Sequence, residues 1–272
     1  MTWRFALLFL TMVLLPVSAL AQIKLKTIDD VVSVYLIEGW RDSDGTHLTA
    51  VSFDMAPGWR TYWRAPGDGG LPTSISWRGS RNLAAAQKLW PRPQVFRTFG
   101  LRSIGYSDRL VLPIRLTPRT SGPIRVKADI SFGICQEICL PARVKLSAVL
   151  ADRSVPRSAD IQSALQDRPM SATQAALRQS TCRFEPGEDG IRINVSLVLP
   201  KLAGKGEAVV IEPGDASYWV SEPVARRQGQ VLEASALMVP QTPGGSIDRD
   251  KMRITVLSTQ TAVDIRGCRA PG

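Results

Sequence analysis

Arg125-Val126-Lys127-Ala128-Asp129-Ile130-Ser131-Phe132-Gly133-Ile134-Cys135-Gln136-Glu137-Ile138-Cys139-Leu140-Pro141-Ala142-Arg143-Val144-Lys145-Leu146-Ser147-Ala148-Val149-Leu150 alternates apolar and polar residues on both sides of a cysteine pair. Val126, Ala128, Ile130 and Phe132 share one face, while Arg125, Lys127, Asp129 and Ser131 share the other. Val144, Leu146, Ala148 and Leu150 repeat the pattern, and a period of two is that of half-buried strands. Extended across the turn, the alternation puts Cys135 on the side of Lys127 and Asp129, and Cys139 on the side of Arg143 and Lys145, away from the core. Both sulfurs then lie at the end of a hairpin, within the ~5.5 Å Cα separation a disulfide needs and partly accessible.

The same alternation recurs at Ile191, Ile193, Val195, Leu197 and Leu199. Fainter versions span residues 31–37, 47–55, 110–117, 207–211, 231–239 and 253–257. Short strands separated by Gly and Pro turns predict an all-β chain built as β-sandwiches. Residues 151–180 are instead rich in Ala, Ser, Gln and Arg and read as a short helical linker. Ser158 can cap one helix that Pro169 ends, and Ser171 with Gln174 has capping-box spacing for a second. The expected domains are therefore residues 22–150 and 181–272. Two Gly- and Pro-rich stretches rich in aromatics, residues 57–72 and 96–106, read as loops suited to binding.

Compartment decides what the cysteines can do. Arg4 precedes an apolar run from Phe5 to Val17 that closes on Ala19-Leu20-Ala21, the pattern of a cleaved secretory signal over residues 1–21. The run is shorter than the ~20 residues of a membrane span, and Pro16 is a poor continuation; an uncleaved anchor is the alternative. No later segment is apolar enough to span a bilayer, so the mature chain from Gln22 is expected outside the cytoplasm and not itself transmembrane, where disulfides persist. The net charge of +10, from 34 basic against 24 acidic residues, invites nucleic acid as a partner. Export removes that partner and the arginines are scattered, so no nucleic acid is expected.

Thiol-disulfide exchange needs one thiolate to attack and a second thiol nearby to resolve the mixed disulfide, and Cys135 with Cys139 supply both. Glu137 between them disfavours a thiolate and Arg143 favours one, so both are candidate pKa modulators. A loop this short adds little to folding, although an inert hairpin staple has the same spacing. Cys182 and Cys268 bracket the second domain; bridging them closes a long loop worth ~4 to 5 kcal/mol in the chain-entropy model and reads as a structural disulfide. The other possibility for the thiols is copper or zinc, but the second pair lacks knuckle spacing and the one histidine, His47, is distant in sequence. No metal site and no cofactor is expected. There is no G-x-S-x-G, H-E-x-x-H or G-x-x-x-x-G-K motif, and His47 reads as a surface residue rather than a catalytic one.

Gly58-Trp59-Arg60-Thr61-Tyr62-Trp63, Gly67-Asp68-Gly69-Gly70-Leu71-Pro72, Ile104-Gly105-Tyr106-Ser107-Asp108-Arg109-Leu110-Val111-Leu112-Pro113 and Gly133-Ile134-Cys135 to Cys139-Leu140-Pro141-Ala142 occur in that order. Together they resemble the periplasmic N-terminal domain of the DsbD and ScsB families over about residues 30–150. The second domain resembles the extra β domain of ScsB-type and stand-alone alphaproteobacterial members. The resemblance implies immunoglobulin-like folds in tandem, a periplasmic location, and Cys135 with Cys139 as a redox pair. Its implied partners are a membrane-embedded CcdA/DsbD-type electron donor and, as clients, periplasmic thioredoxin-like or disulfide isomerase proteins. It also implies a cap loop over the disulfide formed by Phe96, Phe99 and Tyr106, with Phe99 as the shielding residue. Two departures stand out: three residues separate the cysteines here against five in DsbD, and the membrane and thioredoxin-like domains of full-length members are absent, so a separate donor is expected. A non-catalytic immunoglobulin-like binding or assembly module with structural disulfides is the rival from another class.

Overall fold

The computed structural model describes residues 27–98, 100–151, 156–215, 217–242 and 247–272. The expected export signal and Phe99 lie outside them. The N-terminal half runs α1 (Ile28–Val31), β1 (Val32–Arg41), β2 (His47–Met55), β3 (Arg60–Gly67), β4 (Ser74–Ser76), β5 (Ala85–Lys88), β6 (Gln94–Thr98), β7 (Leu101–Ser107), β8 (Arg109–Thr117), β9 (Ile124–Cys135) and β10 (Cys139–Leu150). These strands form a four-stranded sheet, β1-β2-β8-β5, and a six-stranded sheet, β10-β9-β3-β7-β6 with β4 also on β9. The chain is all-β, as the alternation predicts. Core residues come from both sheets: Phe53 of β2 meets Phe132 of β9 edge to face, with ring centroids 5.1 Å apart.

β9 and β10 pair in full register from Cys135↔Cys139 to Ile124↔Leu150, because their apolar sets must face the same core. The stretch read as a loop at 57–72 is in large part strand β3. Its pattern is hidden because β3 runs between β9 and β7 with both faces covered, so Thr61, Tyr62 and Trp63 are all buried and no alternation remains. Residues 96–106, also read as a loop, are most of a β6–β7 hairpin paired from Gln94↔Gly105 to Thr98↔Leu101. His47 is buried rather than on the surface, with Nε2 2.8 Å from the Glu38 carbonyl. Burial holds its pKa below the ordinary value and the ring neutral, so it has a packing role.

After β10 comes α2 (Ala159–Gln166), whose N-cap Ser158 accepts from the Ile161 N–H. The second helix expected in this linker does not form. Ser171 and Gln174 do exchange their capping-box hydrogen bonds, yet the chain turns through residues 172–176, and Ala176 at φ +50° closes the turn. The C-terminal half then comprises β11 (Met170–Ser171), β12 (Gln179–Gly187), β13 (Gly190–Val198), β14 (Ala208–Glu212), β15 (Tyr218–Val220), β16 (Val224–Gln228), β17 (Val231–Pro240), β18 (Arg253–Leu257) and β19 (Ala262–Arg266). They make sheets β11-β19-β18-β14 and β12-β13-β17-β15, with β16 on β17. A second core holds Ile193, Val195, Leu197, Met238, Ile254 and Ile265.

The halves meet through both apolar and charged groups. Val210, Leu257 and Ala262 pack into the N-terminal core, and the Arg64 guanidinium, stacked 3.8 Å above the Trp63 ring, donates to both Glu212 carboxylate oxygens at 2.9 and 3.0 Å. Among the described residues no helix is long and apolar enough to cross a membrane.

Candidate functional site

Cys135 ends β9, Cys139 opens β10, and a disulfide joins them across a register pair with Cα atoms 4.1 Å apart. Both lie on the face away from the core, in the row of Gly133↔Pro141 and Ser131↔Arg143. The two sulfurs are not equivalent. Cys139 is exposed, whereas Cys135 is only 5% exposed although its strand face is the polar one.

Neighbouring strands and loops cover this end of the face. The Cα register partner of Cys135 on β3 is Arg60, so their side chains leave the same face of the sheet, joined two residues on by Tyr62. The Tyr62 hydroxyl donates to the Gly69 carbonyl at 3.2 Å and stands 3.3 Å from Cys139 Sγ. Gly133 lets this cover close: a Cβ there would meet Leu71 Cβ at 2.8 Å and the Tyr62 ring at 3.3 Å. Burial pushes the Tyr62 phenol above its ordinary pKa, against the lowering effect of the Arg60 charge, so the hydroxyl keeps its proton at neutral pH and can turn it from the Gly69 carbonyl to a Cys139 thiolate. Outside this cover, Ile138 is 65% exposed at the tip between the cysteines.

Residues 36–151 match a family model described as "Thiol:disulfide interchange protein DsbD, N-terminal". That match supports a DsbD-like N-terminal domain over those residues. The N-terminal periplasmic domain of ScsB from Proteus mirabilis has a similar structure, with a TM-score of 0.69 at 20% identity over 91% of this chain and 97% of that one. At that identity the likeness is one of fold, and it extends across both halves. No curated protein matches the chain in sequence.

In this DsbD-like domain the expected cap residues part company. Phe96 of β6 lies on the disulfide face, where the Arg60 guanidinium stacks 4.5 Å above its ring and donates to Thr98 Oγ1 at 3.3 Å. Tyr106 is not a cap residue. Alternation along β7 turns it into the core, where it stacks on Trp90 and donates to the Pro91 carbonyl at 2.8 Å. Phe99 falls outside the described residues.

The two charged modulators also separate. Glu137 is exposed in the loop beside the disulfide. Arg143 sits four register pairs away and is held by both Asp129 oxygens at 2.7 and 2.6 Å, which raises its own pKa and lowers that of Asp129. Its charge is committed there, and the cation placed in register with Cys135 is Arg60. Arg60 and Tyr62 are the site residues the sequence reading missed. The one signal for them was an i, i+2 pair inside Gly58–Trp63, masked by the tryptophans on the opposite face.

Cys182 and Cys268 are bonded as well, with Cα atoms 5.6 Å apart and both residues buried. Cys268 Sγ rests 3.5 Å from Met252 Sδ, and Arg249 donates to the Cys182 carbonyl at 2.6 Å.

Proposed function

We propose that Cys135 and Cys139 are the redox centre of a periplasmic thiol-disulfide oxidoreductase that relays electrons between a CcdA/DsbD-type membrane donor and thioredoxin-like or disulfide isomerase proteins. The reading takes residues 22–150 as the redox domain and 181–272 as a second β domain. The observation that carries it is the asymmetry of the pair: one sulfur is open to a partner and the other is shielded behind it. A donor thiolate attacks Cys139 Sγ, the S–S bond breaks, and Cys135 leaves as a thiolate. The donor's second thiol then attacks its own sulfur in the mixed disulfide, which releases Cys139 as a thiolate and leaves the donor oxidised. Two electrons have moved and the dithiol takes up two protons. In the second half-reaction Cys139 attacks a client disulfide, and Cys135 resolves the mixed disulfide and restores the bridge.

Tyr62 supports the step at Cys139, since a protonated hydroxyl beside a forming thiolate stabilises it. Arg60 favours negative charge at the Cys135 end. Glu137 opposes both and sets a limit on thiolate character.

Two measurements test the reading together. The Cys135–Cys139 reduction potential should lie above about −300 mV, the range below which structural bridges fall. The variant Cys135→Ser should accumulate a mixed disulfide with a thioredoxin-like protein through Cys139, and Cys139→Ser should accumulate far less. A potential below that range with no exchange would make the bridge a staple.

A further inference from the structure

The β6–β7 hairpin is gripped on its two faces by different halves of the chain. On the disulfide face Phe96 and Thr98 are held by Arg60. On the opposite face Arg97 and Arg102 are direct cross-strand partners, a like-charge pair that repels at this spacing. What lies against them comes from the C-terminal half. Glu222, in the segment between β15 and β16, places one carboxylate oxygen against Arg97 Nη2 and 3.7 Å from Arg102 Nε.

Arg102 is 5% exposed, so its charge needs compensation. Its Nη1 donates to the Val209 carbonyl of β14 at 3.1 Å, and its Nε has no hydrogen-bond partner, which leaves the Glu222 carboxylate as the close anion for it. A buried cation on β7 therefore takes its carbonyl and its nearest carboxylate from the C-terminal half, while Asp68 of the N-terminal half adds a weaker attraction. The hairpin that reaches Arg60 is tied to that half at its other face.

We infer that the C-terminal half acts on the redox centre through Glu222, a positioning residue that fixes the β6–β7 hairpin against Arg60 and so limits access to Cys135. This rests on the relay reading for its biological meaning but not for its test, which uses chemical reagents and no partner protein. With Glu222 neutralised, Arg97 and Arg102 lose the carboxylate that bridges them, the hairpin loosens, and Phe96 and Thr98 release Arg60. The half of the molecule that carries no redox cysteine then governs how readily the pair reacts.

The test is the alkylation rate of Cys135 by iodoacetamide in the full chain, with the Cys135–Cys139 pair reduced and the label placed by peptide mass mapping. Glu222→Gln should speed labelling of Cys135 about fivefold, the effect of losing one partly buried ion pair on a local opening equilibrium. Asp248→Asn removes another pair of the C-terminal half, Asp248 with Lys251, which touches neither Glu222 nor the hairpin arginines. It should leave the Cys135 rate unchanged. Glu222→Arg should be faster still, and adding Arg97→Glu should bring the rate back toward that of the parent. An unchanged rate in Glu222→Gln, an equal acceleration in Asp248→Asn, or no recovery in the charge swap would overturn the inference.

Discussion

The two disulfides share a bond type and little else. Cys182–Cys268 spans 86 positions, lies wholly inside the C-terminal core and ties β12 to the segment after β19. Cys135–Cys139 spans four positions, joins residues that the β9–β10 ladder already holds opposite each other, and leaves one sulfur exposed. The first limits what the unfolded chain can explore; the second constrains almost nothing the hairpin does not already constrain. A bond that contributes little to the fold, beside a protonated phenol and in register with Arg60, suits the redox role proposed for it.

Deleting each bridge should give the largest contrast. In the chain-entropy model Cys182→Ala with Cys268→Ala costs ~4 to 5 kcal/mol, whereas Cys135→Ala with Cys139→Ala costs ~2 kcal/mol. Urea unfolding of the two double variants measures both. Equal losses would erase the distinction and return Cys135–Cys139 to the status of a staple.

That contrast was partly legible in the sequence. Spacing alone suggested a long structural loop for Cys182–Cys268, and the alternation of residues 125–132 and 143–150 placed the other pair on the polar face at a hairpin end. Missing was the burial of Cys135, because a strand's own period reports which face a residue takes and not what a distant segment lays over that face. Tyr62 and Leu71 close over that face at Gly133, from a stretch read as a loop. β3 escaped for a related reason: Thr61, Tyr62 and Trp63 are buried together, and a strand covered on both sides loses the pattern by which strands are found. The Ser171–Gln174 capping box formed its hydrogen bonds without a helix, since Met170 and Ser171 pair in parallel with β19. Tertiary pairing overrode a correct local signal.

Acid should have an intermediate effect, acting on the C-terminal half through two partly buried carboxyls. Burial raises the Asp264 carboxyl, but the hydrogen bonds and charge of Arg253, joined by Arg64 and Arg266, outweigh it and hold the group below its ordinary value. Glu207 is lowered in the same way: burial opposes, while Arg227 and the Leu202 N–H prevail. A carboxyl whose folded pKa lies below its unfolded value stabilises fully above the unfolded value, near 4, and loses that contribution as pH falls through the folded one. Both groups belong to the half with the buried bridge. Thermal unfolding should therefore shift down below about pH 4, and Asp264→Asn should cost roughly 2 kcal/mol at pH 7 and much less at pH 3. A constant cost across that range would remove Asp264 from the account.

The finest test concerns the exposed sulfur. If the Cys135–Cys139 site is built for exchange, the Tyr62 hydroxyl 3.3 Å from Cys139 Sγ stabilises the thiolate that forms there, and its removal acts on chemistry rather than on folding. Tyr62→Phe keeps the ring that packs against Gly133 and loses only the donor. A hydrogen bond to a charged acceptor is worth about 1.5 kcal/mol, so the Cys139 thiol pKa should rise by about one unit. Thiolate absorbance followed through a pH titration of the reduced chain reads this directly. The unfolding midpoint should move little, because the Gly69 carbonyl that Tyr62 also serves lies near the surface and can turn to water. An unchanged thiol pKa would show that the phenol merely closes the cover over Cys135, and the asymmetry between the two bridges would then be one of exposure alone.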